Sequence, residues 1–121
     1  MNKWICCFYI LLIASNTVFA ADGRRWKQLA DNPDYLHRAV KRVTDVIVHD
    51  VYSPPVASRS YAYIAVAGYE AARFENLAYF SLAGQLHGLS AFDAPDPQKK
   101  YNYSLAAVNA VLLTGKTMVI S

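Results

Sequence analysis

The chain has 121 residues, of which 55% are hydrophobic and 17% are charged. This composition is too apolar and too weakly charged for an intrinsically disordered protein and is typical of a helical globule. The formal net charge of +3 is not gathered into one tract, and no stacking aromatic side chains are interleaved with it, which argues against a nucleic-acid-binding protein. A domain of this length buries only roughly two-thirds of the surface that its unfolded chain would expose, so its core must be thin.

Residues 1–20 have the pattern of a secretory signal peptide. Lys3 is followed by an apolar run, and small residues precede a predicted cleavage site after Ala20. The apolar run is shorter than the roughly 20 residues that span a bilayer, which disfavours a retained anchor. Cys6 and Cys7 both lie in this segment, so the mature chain, residues 21–121, has no cysteine for a disulfide, a nucleophile or a metal site. We therefore predict an exported protein, periplasmic or secreted, that meets the membrane only through its signal peptide.

The first amphipathic helix follows a basic entry segment, in which Trp26 is expected to plug against that helix. Residues 31–34, Asp-Asn-Pro-Asp, predict the helix start, because Asn and Asp side chains accept hydrogen bonds from free backbone N–H groups and acidic charge suits a helix N-terminus. Lys41 and Asp45 are four residues apart on the polar face and are predicted to pair. Apolar residues at spacings of four, three, four and four predict the core face: Leu36, Val40, Val43, Ile47 and Val51.

A double proline predicts a sharp corner between this helix and the next. Pro54 and Pro55 cannot continue the first helix, whereas Ser53 suits an N-cap and Pro54 suits the first position of a new helix. From Ser60 to Tyr69 there is no charged residue, and small side chains occupy several helical faces. A helix that is apolar nearly all round is predicted to lie at the centre of a bundle.

Two further helices are predicted beyond this hairpin. A short helix is expected over Ser81–Leu89, and residues 90–97 form the clearest loop. Asp96 and Pro97 are predicted to cap and open a last helix. The apolar pattern of that helix continues through residues 118–120 with no C-terminal cap after it, from which we expect either a truncated chain or a partner that covers the helix. Its core face is predicted from Tyr101, Leu105, Val108 and Leu112.

Residues 48–63, VHDVYSPPVASRSYAY, resemble a signature found in the N-terminal helical region of the vanadium-dependent haloperoxidase and type 2 phosphatidic acid phosphatase superfamily. Residues 81–86, SLAGQL, with Gly88 and Leu89, extend the resemblance. It implies an all-α fold in which Lys, Arg and His side chains form a cage around an oxyanion, either vanadate or a phosphate ester. We therefore predict an all-α bundle of about four helices, with residues 21–121 as an incomplete N-terminal portion of a larger helical fold.

The motifs that build this cage in the family are not found in the sequence. No proline follows an arginine, and no histidine follows a glycine. Ser58 and Arg59 match the start of a third motif, in which a histidine follows the arginine after six residues, but that position is Ala65. We therefore assign no catalytic, cofactor-binding or metal-binding residue to the chain, and vanadate is expected only in a full-length member of the family.

Three histidines and their neighbours are weaker candidates for chemistry. Asp45, His49 and Asp50 suggest a metal site or an acid–base pair, but ligands four residues apart are common on helices, and a structural role is favoured. His37 and His87 have no evident partners in the sequence, and we interpret each as an ordinary surface or boundary residue.

Two charged motifs have structural explanations. Residues 114–117, TGKT, resemble the end of a phosphate-binding P-loop, but Ala110 replaces the required first glycine and no strand precedes the segment, so nucleotide binding is rejected. Arg59 is predicted to pair with Asp50 across the corner, and the alternative is that it binds a substrate anion in a longer protein.

The leading hypothesis is an exported, all-helical scaffold portion of a haloperoxidase-like or acid-phosphatase-like protein whose missing C-terminal portion supplies catalysis. The alternative is a non-catalytic periplasmic helical module whose last helix binds another protein. A third hypothesis is a membrane-tethered accessory protein that retains residues 1–20. The residues do not distinguish halide oxidation from phosphate-ester cleavage in the parent protein, because the same cage serves both.

Overall fold

The computed structural model describes residues 25–76 and 78–119, so the predicted signal peptide lies outside the described residues. The chain divides into two compact units, Met1–Asp31 and Asn32–Ser121. In the first unit, residues 25–30 are helical. The predicted contact of Trp26 with the first amphipathic helix would join the two units and stays a prediction. The second unit contains three α-helices, which we label α1 (Asp34–His49), α2 (Pro54–Ala72) and α3 (Tyr103–Met118). The all-α class is confirmed, and none of the described helices is long and apolar enough to cross a membrane.

Helix α1 begins where the sequence predicted and ends in an unusual cap. Asn32 Oδ1 accepts a hydrogen bond from Asp34 N–H at 2.9 Å, as expected for the Asp-Asn-Pro-Asp start. At the other end, Val51 has a φ of 51°, a left-handed conformation that β-branched residues rarely adopt. The backbone N–H groups of Val51 and Tyr52 donate to the carbonyl oxygens of Val48 and Ile47, each at 3.2 Å, which forms a Schellman motif. Val51 is therefore 85% exposed rather than part of the predicted core face.

The corner between α1 and α2 confirms the double-proline prediction. Ser53 is the N-cap of α2 in an extended conformation, and Pro54 is the first helical residue. The Ser53 side chain makes no capping hydrogen bond, but its carbonyl oxygen accepts from the N–H groups of Val56 and Ala57 at 3.0 and 2.9 Å. Proline thus starts the helix without leaving an unpaired N–H group.

Helix α3 packs against both α1 and α2, so the central helix is the last one and not α2 as predicted. Its approach is close because glycines face β-branched side chains. A Cβ added at Gly115 would lie 2.5 Å from Val43 Cγ2, and one added at Gly68 would lie 2.9 Å from Val111 Cγ2. The buried core cluster joins all three helices through Ala39, Val43, Ile47, Ile64 and Val111.

Three predictions for the second half of the chain are wrong. Residues 81–89 form turns rather than a helix, with Gly84 at a φ of 76°. The last helix begins at Tyr103 rather than at Pro97, because Asn102 Oδ1 accepts from Leu105 N–H at 2.7 Å and serves as its N-cap. The buried face of α3 also differs from the predicted one: Ala107, Val111 and Gly115 are buried, whereas Tyr101, Leu105 and Leu112 are 42–46% exposed.

Candidate functional site

The most elaborate polar site among the described residues is built on Glu70, in the last turn of α2. Apart from Arg59, Glu70 is the only charged residue of α2, and it is 3% exposed. Arg73 follows three residues later, in the 3₁₀ turn Arg73–Glu75 that continues the helix, so both side chains lie on one face. A buried carboxylate is stable only when charged and polar partners surround it.

Partners from two segments surround the Glu70 carboxylate. Arg73 Nε donates to Oε2 at 2.5 Å, and Leu82 N–H donates to Oε1 at 2.6 Å. The Ser81 hydroxyl lies 3.1 Å from both carboxylate oxygens. We call this set the Glu70 junction: Glu70, Arg73, Ser81 and Leu82. It joins the end of α2 to a segment eleven and twelve residues further along the chain.

The Glu70 junction sets the ionisation of the carboxyl group. Burial alone would raise the pKa of Glu70, but the hydrogen bonds from Leu82 N–H, Arg73 and Ser81, with the charge of Arg73, outweigh it and lower the pKa below its ordinary value. Glu70 is therefore ionised at neutral pH. Because donors already occupy both of its oxygens, the carboxylate is a structural acceptor and is not available as a general base.

A second set of bonds fixes the turn that follows. Ala83 N–H donates to Ser81 Oγ at 3.1 Å, and Gln85 Nε2 donates to the Ser81 carbonyl oxygen at 2.6 Å. Tyr69 donates its hydroxyl proton to the carbonyl oxygen of Phe80 at 2.8 Å. The turn segment 80–86 is thus held against the end of α2 by two consecutive residues of that helix, Tyr69 and Glu70.

Two depressions lie on the surface of the second unit, and Arg73 of the junction lines one of them. One, of about 520 Å³, is lined by Tyr69, Ala72, Arg73, Glu75, Asn76 and Tyr79. The Arg73 guanidinium carbon lies 4.1 Å from the centroid of the Phe74 ring, so this cation is in contact with an aromatic face as well as with Glu70. The other depression, of about 400 Å³, is an apolar groove lined by residues of all three helices, which include Leu36, Val40, Tyr61, Ile64, Gly68 and Val111.

Comparison with solved structures identifies the fold. The chain is similar to a bacterial vanadium-dependent iodoperoxidase of known crystal structure, with 48% sequence identity over 74% of this chain and a TM-score of 0.69. The chain is related to the vanadium-dependent haloperoxidases. It spans only 21% of the length of that iodoperoxidase. No protein-family model matches the chain, and no curated protein sequence matches it.

The described cations do not form the cage that a haloperoxidase-type oxyanion site requires. Every described Lys and Arg side chain except Arg73 is exposed, and these cations are spread over the surface of the helices and loops. Arg73 is half-buried, but its charge is balanced by Glu70. A vanadate site needs several converging positive donors around one anion. The described residues therefore do not fit vanadate, and we derive no chemical step through it.

The residues that the sequence analysis considered for chemistry lie apart from the Glu70 junction. Arg59 is exposed. Asp50 Oδ1 lies 3.1 Å from His49 Nδ1, and the predicted clamp between Asp50 and Arg59 stays a prediction. The described part of the chain contains no group of three or more potential metal ligands. Lys41 pairs with Asp45 at 2.8 Å, which confirms that prediction.

The remaining candidates are also placed by the structure. His37 and His87 are exposed, as expected for surface residues. Residues 114–117 lie inside α3, with Gly115 packed against Val43, which agrees with the rejection of a P-loop.

Sequence reasoning missed Glu70, although a signal was present. Glu70 is the first acidic residue after Asp50 and interrupts an apolar helix, with Arg73 three residues later. A lone acid on such a helix with a basic residue at that spacing is the pattern of a buried ion pair. The contact of Glu70 with Ser81 and Leu82 joins residues that are not neighbours in the sequence, and no sequence pattern indicates it.

Proposed function

We propose that this chain contributes packing helices to an exported protein of the haloperoxidase or acid-phosphatase type and has no oxyanion site of its own. The observation that carries the proposal is the similarity to the iodoperoxidase, which covers most of this chain but only 21% of that protein. A segment that matches one-fifth of an enzyme with high identity is favoured as a structural part of a comparable fold.

The surface of α3 supports a scaffold role. This helix packs on its small-residue face, whereas large apolar side chains on other faces remain open: Leu105, Leu112 and Leu113 are 45%, 42% and 58% exposed. Exposed apolar surface of this kind is typical of a face that another element covers. We propose that the covering element is a further helical portion of the same type of protein or a separate helical partner.

The sequence contains no Arg-Pro and no Gly-His pair. This supports the proposal that the chain has no oxyanion site of its own. Without converging cations, a bound oxyanion would keep its charge uncompensated, and neither a vanadium centre nor a phosphoryl-transfer site would be stabilised. The purified chain is expected to show no saturable hydrolysis of a phosphate ester and no halide oxidation with vanadate and peroxide.

An activity assay with a matched variant tests this proposal. The wild-type chain and Arg59→Gln are both assayed with p-nitrophenyl phosphate, and with iodide, vanadate and hydrogen peroxide, after circular dichroism has shown that both are helical. Equal background rates in the two proteins are expected. Saturable turnover by the wild type would contradict the proposal, and its loss in Arg59→Gln would locate the unexpected site beside the corner.

Export is a separate part of the proposal and has its own test. The supporting pattern is the basic residue, apolar run and small residues of the first 20 positions. Intact mass of the product recovered from the periplasm or medium should correspond to residues 21–121. A product that keeps residues 1–20 in the membrane fraction would instead support a tethered accessory protein.

A further inference from the structure

The segment between α2 and α3 is attached to the helices mainly by polar contacts. The buried apolar cluster and the partly buried side chains packed on it come from α1, α2, α3 and residues next to them, and none comes from the described residues of the segment, 73–76 and 78–102. Four large apolar side chains of that segment, Tyr79, Phe80, Leu86 and Phe92, are 43–80% exposed, whereas Phe74, Leu82 and Leu89 are partly buried. Apolar burial therefore holds this segment less firmly than it holds the three helices.

The Glu70 junction supplies the attachment that apolar packing does not. One carboxylate accepts hydrogen bonds from Ser81 and Leu82 on the segment and from Arg73 at the helix end. Hydrogen bonds to a charged group are stronger than those between neutral groups, and removing the charge leaves the other partners unsatisfied. The neutral acid would present an O–H group where Arg73 Nε, the Ser81 hydroxyl and Leu82 N–H now donate.

We propose that Glu70 is an acid-sensitive latch: its carboxylate fixes segment 80–86 against the end of α2, and its protonation releases that segment while α1, α2 and α3 stay folded. The core contacts among the three helices include no described residue of the segment. The hydrogen bonds from Tyr52 to the Met118 carbonyl oxygen and from Tyr61 to Thr44 also lie outside the segment, so the helices do not depend on the latch. The remaining recorded tie, from the Tyr69 hydroxyl to the Phe80 carbonyl oxygen, is a neutral hydrogen bond at an exposed position.

The charged surroundings of Glu70 are simple. Among the described residues, Arg73 is the one cation in contact with its carboxylate, and the turn segment contributes Ser81 and Leu82, which are uncharged. Helix α3 packs against the 3₁₀ turn, but its single charged residue, Lys116, lies at the opposite end of that helix. Helix α1 contributes none of the recorded contacts of Glu70. Release is therefore governed by the proton on one carboxyl group.

The pH range follows from the direction of the pKa shift. The pKa of Glu70 is lower in the folded chain than in an ordinary glutamate, so the latch is fully present above about pH 4.3 and is lost as the pH falls through the lowered value. No change is expected between pH 8 and pH 5. The segment is expected to open only at pH values below this range.

Hydrogen–deuterium exchange of the full chain tests the latch, because it measures amide protection in segment 80–86 separately from protection in the helices. In the wild type at pH 7, the amides of Leu82 and Ala83 are expected to be protected, because they donate to Glu70 and to Ser81. In Glu70→Gln their protection factors should fall about tenfold or more, while amides of the α2 and α3 core around Ile64 and Val111 remain protected. Glu75→Gln, an exposed glutamate five residues later, is the matched control and should behave as the wild type.

Two further samples keep the test decisive. When the wild type is titrated from pH 5 towards pH 3, protection factors corrected for the intrinsic exchange rate should fall selectively in the segment without any substitution. Ser81→Ala, which keeps the pair of Glu70 and Arg73, should give a smaller loss of protection at Leu82, whereas Ala83 loses its own acceptor, the Ser81 hydroxyl. Unchanged protection at Leu82 in Glu70→Gln, an unprotected Leu82 in the wild type at pH 7, or simultaneous loss in segment and helices at pH 3 would overturn the latch.

Discussion

At the crossing of α3 with α1, the chain approaches itself at a glycine: a Cβ at Gly115 would lie 2.5 Å from Val43 Cγ2. At the end of α2, the chain approaches itself at a charge: Leu82 N–H lies 2.6 Å from a Glu70 oxygen. The first contact depends on the absence of a side chain, and the second depends on the presence of an ion. Both bring together residues that are distant in sequence.

These two contacts are expected to respond to different perturbations. Close packing of small and β-branched side chains is sensitive to volume and is unaffected by pH. A buried carboxylate is sensitive to charge and tolerates few neutral substitutes. Variants that change only volume or only charge therefore separate the contribution of the helix crossing from that of the Glu70 junction.

The largest effect is expected when the charge of the Glu70 junction is removed. Glu70→Gln should lower the free energy of unfolding at pH 7 by about 2–3 kcal/mol, because the half-buried Arg73 loses its counterion and Ser81 and Leu82 lose a charged acceptor. Urea denaturation measures it, and Glu75→Gln should change the value by less than about 0.5 kcal/mol.

The wild type and Glu70→Gln also differ in how their free energies of unfolding depend on pH. Glu70 has a lowered pKa in the folded state, so it stabilises the wild type above the ordinary glutamate pKa, and this stabilisation disappears as the pH falls through the lowered value. The difference between the wild type and Glu70→Gln should therefore be constant from pH 8 to pH 5 and shrink by pH 3. A difference that grows on acidification would contradict the assigned ionisation.

An intermediate effect is expected at the helix crossing. Gly115→Ala places a methyl group against the stiff side chain of Val43 and should cost about 1–2 kcal/mol, even though alanine is the better helix former. The matched background is Val43→Ala, which removes the γ-methyl groups that the added Cβ would meet. There the same substitution should stabilise by about 0.5–1 kcal/mol. Equal effects in both backgrounds would show that the close approach is not limiting.

A smaller effect of opposite sign is expected at the end of α1. Val51→Gly should raise the free energy of unfolding by about 0.5–1 kcal/mol, because Val51 has a φ of 51° and is 85% exposed, so little packing is lost. Val48→Gly, at a 70% exposed position inside α1, should instead lower it by about 0.5 kcal/mol. Thermal unfolding of the two variants checks the contrast in sign.

The sequence predicted the first hairpin well because its signals are local. Asn32 and Asp34 mark the start of α1, and Ser53 with Pro54 marks the start of α2, each through backbone restrictions that act within a few residues. Val51 was assigned to the core because its spacing continues the apolar pattern. Periodicity does not show that the helix has already ended two residues earlier.

The second half was harder to predict because its determinants are long-range. Helix α3 is apolar on several faces, so spacing did not reveal that Ala107, Val111 and Gly115 form the buried face; that choice depends on how closely glycine lets the helices approach. Leu82 and Leu86 have helical spacing, but Glu70 takes the N–H of Leu82, and Gly84 turns the chain at a φ of 76°. The Glu70 junction could not be predicted from the sequence, because no local pattern indicates that Glu70 contacts Ser81 and Leu82.

The central claim is that this relative of the vanadium-dependent haloperoxidases supplies helices and no oxyanion site. Titration of the purified chain with vanadate, followed by ⁵¹V nuclear magnetic resonance, tests it most directly. Circular dichroism of the same sample must show folded helices. The account predicts no saturable change in the vanadate signal, with identical traces for wild type and Arg59→Gln. Saturable binding with one site per chain would contradict it.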